Sequence, residues 1–285
     1  MKLYPVIHEY FKLDGGAMFG VVPKVIWQRT NPADEDNLIQ MVTRSLLIET
    51  GDKLILIDTG MGDKQPEKFF GYYKPQRKNE LDRVLRDAGY SRADITDVVM
   101  THLHFDHCGG SVVKDENGSL IPAFPNARYW TNEAHWQWAV NPNPRERASF
   151  LKENFVPLAE AGVLHFVPLP KEGDVTDFPE LHMRFLFVDG HTEKQMIPVI
   201  EHEGKTLVYM ADLLPTTGHI PLPYVMGYDI RPLVTLKEKE RFLNEAADKG
   251  YYLFLEHDPV TEICTVKHTG KGVRLNKTYQ LKEIF

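Results

Sequence analysis

Four segments of this chain that read as β-strands each run straight into a side chain able to bind a metal, and few folds satisfy that pattern. Val98-Val99-Met100 leads into Thr101-His102-Leu103-His104-Phe105-Asp106-His107-Cys108. Residues 183–188 end at Asp189-Gly190-His191, 205–210 give way to Ala211-Asp212, and 251–255 lead into Glu256-His257-Asp258. In α/β sheets, ligands collect beyond the carboxyl ends of strands, where loops are held by a rigid scaffold yet reach solvent. Segments 42–49 and 53–58 flank Gly51-Asp52 as a hairpin, and 197–202 and 205–210 flank Gly204 as another. Leu81, Val84, Leu85 and Ala88 fall at helical spacing with Gly89 as a stop. Further helices are expected over 131–139, 145–160 and 235–249, and a strand over 163–167. The pattern predicts an α/β fold, an αβ/βα sandwich of two mixed β-sheets face to face with outer helices. No repeat, low-complexity tract or Ser/Gly linker interrupts it, so residues 1–285 read as one domain.

Composition removes several classes of function. The 33 Lys and Arg against 40 Asp and Glu give a formal charge of −7. The basic residues are scattered, so a phosphate-tracking surface has little to work with and nucleic acid is not an expected partner. No apolar run reaches the ~18 residues that span a bilayer, and the N-terminus lacks a signal peptide's apolar core, so a cytoplasmic protein without a membrane partner is expected. Cys108 and Cys264 are too sparse for a disulfide framework and are read as thiols. Histidine is the unusual residue, with 12 copies, several in one stretch.

His102, His104, Asp106 and His107 supply three imidazoles and a carboxylate within six residues. Such a set suits Zn²⁺ or a related divalent ion. In extended chain the step from His102 to His104 points both rings the same way, whereas adjacent Asp106 and His107 diverge. Two neighbouring ions accommodate all four better than one does. Dinuclear sites hold their ions ~3.5–4 Å apart, each completed by residues from other strand ends.

The segment His102 to His107 resembles the His-x-His-x-Asp-His signature of the metallo-β-lactamase superfamily. Gly190-His191-Thr192, Asp212 and His257 follow in the order of that family's later ligands, over roughly residues 40–260. The resemblance implies one metal held by His102, His104 and His191, another by Asp106, His107 and His257, and Asp212 bridging them. It also implies that Asp58, in Leu56-Ile57-Asp58-Thr59-Gly60, orients a ligand histidine. The 107–191 stretch is similar to the lactonase, arylesterase and organophosphate-hydrolase branch. Two departures stand out. Thr192 is followed by Glu193-Lys194-Gln195 rather than Pro-Gly-His, and the tyrosine many acyl-homoserine lactonases carry after the bridging Asp is replaced by Leu213-Leu214-Pro215.

The expected activity is that of a dinuclear metallohydrolase. Two divalent ions, Zn first with Mn or Fe as alternatives, bring bound water to a pKa near ~7, and the bridging hydroxide opens a lactone or cleaves a related ester. Asp106 and Asp212 are its catalytic carboxylates. The substrate is expected to be a small molecule with apolar substituents. Phosphotriester or phosphodiester cleavage on the same core is the alternative, and a metal-dependent binding protein the non-enzymatic one. His219, Tyr224 and Tyr228, which follow Asp212, are candidate substrate-binding residues. Trp130, Trp136, Trp138, Phe150 and Phe155 suit either an apolar pocket wall or ordinary helix packing. Phe69-Phe70-Gly71-Tyr72-Tyr73 suits a substrate rim or a self-association patch, which leaves a homodimer open.

Overall fold

The computed structural model describes residues 1–285. Its first half contains strands β1 (Lys2–Asp14), β2 (Leu38–Glu49), β3 (Leu54–Ile57), β4 (Gln76–Arg77), β5 (Asp97–Val99), the small hairpin β6 (Val112–Lys114) and β7 (Leu120–Pro122), then β8 (Arg128–Thr131) and β9 (Leu164–Phe166). Seven of these form one sheet in the order β4-β1-β2-β3-β5-β8-β9. The second half supplies β10 (Val175–Phe178), β11 (Met183–Val188), β12 (Gln195–His202), β13 (Lys205–Tyr209), β14 (Tyr252–Phe254), β15 (Ile263–Thr269) and β16 (Gly272–Tyr279), which line up in sequence order. Both sheets mix parallel and antiparallel pairs. The αβ/βα sandwich read from the sequence is the observed architecture.

The period of two explains why these apolar runs form strands buried on both faces. Ile55 and Ile57 of β3 point into the core between the sheets, with Leu46 and Ile48 of β2 and Phe185, Phe187 and Met196 of the second sheet. Their neighbours Leu54, Leu56 and Leu47 point the other way, onto Leu81, Leu85, Ala139, Phe155 and Leu158 of the covering helices. On the far side of the second sheet, the helix Pro232–Lys249 buries Phe242, Leu243 and Ala246. A third apolar cluster, Phe11, Met18, Phe19, Trp27, Ile39, Met41, Met61, Phe105 and Met226, gathers five separate stretches of chain.

Three features differ from the sequence reading. The long strand β1 escapes the alternation rule because its register against β2 shifts between Ile7 and Glu9. Val6 faces inward before the bulge and Glu9 and Phe11 after it, so no single phase describes the strand. The hairpin β15–β16 is also unannounced, since much of β16 is exposed and polar. The expected helix over 145–160 breaks up: a turn region gives way to a single 3₁₀ turn at Lys152–Asn154 and a short helix Val156–Glu160. Pro157 lacks an amide hydrogen and fits only the first turn of that helix.

Candidate metal centre

β5, β11, β13 and β14 all end at one edge of the sandwich, and the loops beyond them bring together every residue of the expected ligand set. One ligand atom from each of His102, His104, His191 and Asp212 lies within 4.8 Å of the others, and so it is for Asp106, His107 and His257. In the first group His102 Nε2 approaches His104 Nδ1 at 3.0 Å, and His191 Nε2 stands 3.2 Å from His104 Nδ1 and 3.1 Å from Asp212 Oδ2. In the second, His107 Nε2 and His257 Nε2 are 3.1 Å apart, with Asp106 oxygens 3.9 Å from each. Asp212 joins the groups: Oδ1 is 3.2 Å from His257 Nε2, while Oδ2 faces His191.

The local chain is built to hold this geometry. Asp58 accepts from Thr101 N at 2.8 Å and Thr101 Oγ1 at 2.7 Å, and it faces His107 Nδ1 at 3.1 Å. Thr59 N donates to His107 O at 2.7 Å. A Cβ on Gly109 would stand 2.0 Å from Met61 O, so only glycine lets the ligand loop pack on the 59–62 turn. Asp58 and Ala211, neither of them glycine, adopt left-handed backbone with φ of 56° and 41°. Strain of that kind persists where the surrounding structure over-determines it.

The outer nitrogen of each imidazole decides what the inner one can do. His257 Nδ1 donates to Val42 O at 2.8 Å, and His191 Nδ1 to Asp229 Oδ1 at 2.9 Å. His107 Nδ1 meets Asp58 and also Glu256 Oε2 at 3.0 Å, His102 Nδ1 meets the Thr101 hydroxyl at 3.1 Å, and His104 Nε2 lies 3.6 Å from Glu146 Oε1. These partners assign the proton to the outer nitrogen of each neutral ring. The five inner nitrogens then point at one another across about 3 Å. Nitrogens so placed need positive charge between them, as shared protons or as cations, and two divalent cations fit that donor set.

Electrostatics agree. Burial opposes a proton on His191, yet Asp212 and Asp229 raise its pKa to about 10. Burial likewise opposes protonated His257, and Asp212 and Glu256 lift it to about 9. Burial would raise Asp212, but His191, His257 and His107 hold its carboxyl well below the usual range. His102 goes the other way, its pKa lowered by burial and by the neighbouring rings. The carboxylates thus demand positive charge at the centre, and a bound cation competes with protons to supply it.

A cavity of about 300 Å³ opens onto this centre. His104, Asp106, His191, Asp212 and His257 line it, as do Leu13, Met18, Tyr73, Phe105, Met226 and Tyr228, with Arg145, Glu146 and Ser149 from the loop before Phe150. Of the candidate substrate residues only Tyr228 lines this cavity. His219 is buried elsewhere, stacked on Phe19 at 4.3 Å, its ring nitrogens engaged by Thr216 and by Met18 O. Tyr224 packs edge-on against Phe19. The tryptophan set is packing rather than wall: Trp136 abuts Phe155 under the first sheet, Trp130 lies between the sheets, and Trp138 donates to Glu146. Of the aromatic stretch 69–73, Tyr73 lines the cavity and packs on Phe105 at 4.8 Å.

Three supporting residues went unnoticed in the sequence. Asp229 and Glu146 lie in irregular segments with no local pattern, and Glu256 was visible only as a neighbour of His257. Lys239 belongs to the same frame. Its buried ammonium donates to the carbonyls of Pro221, Leu222 and Tyr224 at 3.0, 3.3 and 2.8 Å, anchoring the loop that carries Met226, Tyr228 and Asp229.

Residues 39–257 match the metallo-beta-lactamase superfamily, and the chain belongs to it. Its fold is that of the superfamily, and its converging His and Asp side chains are of the kind that can hold metal ions. An N-acyl homoserine lactonase of Bacillus cereus is 29% identical over 184 residues, covering 61% of this chain and 64% of that relative, just under two thirds of its length. Another from Bacillus thuringiensis is 26% identical over 234 residues, 78% of this chain and 83% of the relative. A solved structure from Staphylococcus aureus, named a probable metal-dependent hydrolase, has a TM-score of 0.83 at 27% identity over 98% of both chains. No helix is long and apolar enough to cross a membrane.

Proposed function

We propose that this protein is a dinuclear metal-dependent hydrolase that opens lactones or cleaves related esters with apolar substituents. The observation that carries the reading is the convergence of five inward-facing imidazole nitrogens, three of them from histidines that line a cavity with an apolar wall. His102, His104 and His191 would hold one ion and Asp106, His107 and His257 the other, with Asp212 facing both groups. Zinc suits this donor set best, with manganese or iron as alternatives. When bound, such ions make water a nucleophile near neutral pH and stabilise charge developing on a carbonyl oxygen.

The chain's own residues then position and shield. Asp58, Glu146 and Asp229 face the outer nitrogens of His107, His104 and His191 and so fix ring orientation. Met18, Phe105 and Met226 exclude water from the scissile bond and reward apolar substituents by burial at ~25 cal/mol per Å². Tyr73 and Tyr228 stay protonated, since burial raises both phenols, Tyr73 to about 12, and they can donate to a substrate oxygen. The names of the relatives favour lactones over other esters.

The test combines elemental analysis with kcat/KM on lactones, aryl esters and a phosphotriester. Two equivalents of a divalent metal and lactone turnover that rises with chain length are expected. One equivalent or none, or preference for the phosphotriester, would overturn the reading.

A further inference from the structure

We propose that Arg145 is a specificity-determining residue that recognises a second oxygen acceptor on the substrate, beyond the ester being cleaved. The inference rests on the hydrolase reading above and adds to it the kind of molecule the cavity selects. Histidines aside, Arg145 is the one basic side chain lining a cavity whose other polar groups are carboxylates, phenols and a serine. The residue is solvent-exposed, and main-chain contacts hold it at the cavity. Asn143 Oδ1 accepts from Arg145 N at 2.9 Å, fixing the start of the loop. One terminal nitrogen of the guanidinium donates to Gly227 O, and to Asp229 O at 3.4 Å, so the side chain crosses to the loop that carries Tyr228.

Those two bonds leave the other terminal nitrogen and Nε without a protein partner. No carboxylate pairs with the group either, although Glu146 is next in sequence. Glu146 is turned inward, accepting from Thr192 and Trp138 and facing His104. A guanidinium presents a planar fork of donors, and when part of it is pinned by backbone the rest is already oriented for an incoming oxygen. The apolar residues Met18, Phe105 and Met226 belong to one packed cluster, so a substrate chain lying on them carries no acceptor of its own for Arg145. An acceptor between the scissile group and the apolar chain would meet the free N–H groups of Arg145. An amide carbonyl linking the chain to the ring fits, as does a carboxylate on the same atom, and both offer the oxygen that the free N–H groups require.

The assignment predicts a selectivity that a purely structural arginine would not confer. Three lactones with equal numbers of chain atoms are compared: one with an amide-linked chain, one with a carboxylate beside the ring, and one with a plain alkyl chain. A matched pair of aryl esters, with and without the amide, accompanies them. For the zinc-loaded protein, kcat/KM should favour at least one oxygen-bearing lactone by about tenfold over the alkyl lactone, a charge-assisted hydrogen bond being of that order. In Arg145→Met that ratio should collapse toward one, and Arg145→Lys should restore only part of it because the fork is lost. Which oxygen-bearing lactone loses its advantage identifies the acceptor. Calorimetric binding of the ring-opened products with and without the amide gives the same ratio without turnover. If lactones are not hydrolysed but esters are, the lactone reading fails while the ester pair and the product binding still decide Arg145. An Arg145→Met protein whose selectivity is unchanged, or which loses all substrates equally, overturns the assignment.

Discussion

The two halves of the molecule build the proposed metal centre in different ways. The first half delivers His102, His104, Asp106 and His107 from one short segment, buttressed by Asp58 and Thr59 from the neighbouring turn and by His135, whose Nε2 accepts from Leu103 N at 2.8 Å. The second half delivers His191, Asp212 and His257 singly, from the ends of β11, β13 and β14. Each of these leans on a partner distant in sequence: His191 on Asp229, His257 on Val42, and Asp212 on the histidines themselves. Four ligands on one stiff loop stay near their places when one support is lost. Ligands brought in separately depend on every strand and loop that carries them, so the second half should be the fragile partner.

Asp212→Ala should show the largest effect, because this carboxylate alone faces both groups. Losing an orienting partner costs ~10–100-fold in metal affinity or activity, and a residue that touches both positions should cost well beyond that range. Metal content is the sharper reading: occupancy should fall at both positions together. Retention of two equivalents with kcat/KM near that of the parent would place Asp212 outside the centre.

The comparison is sharpened by removing one orienting carboxylate from each half. Asp229→Ala should weaken metal binding by ~10–100-fold through the loss of His191's orientation, while stability measured under chelation falls only by the one buried donor, His191 Nδ1, left without its acceptor. Asp58→Ala should do the reverse in proportion. Asp58 also receives the buried amide and hydroxyl of Thr101, and a buried donor left without its acceptor costs ~1–3 kcal/mol. Chelator competition and denaturant melts on both variants read the two quantities separately. Equal profiles would mean that the halves are supported alike.

The same contrast explains how much of the molecule was legible in its sequence. His102 to His107 stood out because neighbours in sequence are there neighbours in space. His191, Asp212 and His257 were reachable by one further rule, that ligands gather beyond the carboxyl ends of strands. Asp229 and Glu146 obey no such rule, since the path of an irregular loop is set by tertiary contacts such as the three carbonyls on Lys239. The aromatic residues show the limit most clearly. Trp136 and Phe155 sit where helical periodicity suits either a wall or a core, and it is the sheet beneath them that makes them core. The wall itself draws Met18, Tyr73, Phe105 and Met226 from four separate segments, a grouping that no window along the chain contains. In β1 a single bulge was enough to hide a 13-residue strand.

His219 offers the smallest expected effect on activity and therefore the cleanest control. It lies seven residues beyond Asp212, but its ring is buried against Phe19 and does not line the cavity. His219→Phe, which keeps a flat ring of similar size, should leave kcat/KM within a few-fold of the parent. Its consequence should appear in stability against pH. Burial pushes the His219 pKa down to about 3, against a partly offsetting hydrogen bond to Met18 O. A pKa depressed in the folded state means that the unfolded chain binds the proton more readily, so the neutral ring's contribution is intact above the ordinary value of ~6.5 and is lost as pH falls toward 3. Between pH 7 and pH 5 this one group should remove about 2 kcal/mol from the parent, at 1.36 kcal/mol per pH unit below ~6.5. His8 and His135 also have lowered pKa values and titrate in the same direction, but they are present in both proteins and cancel in the comparison. Denaturant melts of the parent and His219→Phe at the two pH values, both under chelation, give the difference directly. A stability drop as large in the variant as in the parent would show that His219 does not hold its proton at bay in the folded protein. A large loss of kcat/KM in His219→Phe, with two metal equivalents still bound, would instead move it from the supporting shell of the second half into the cavity's chemistry.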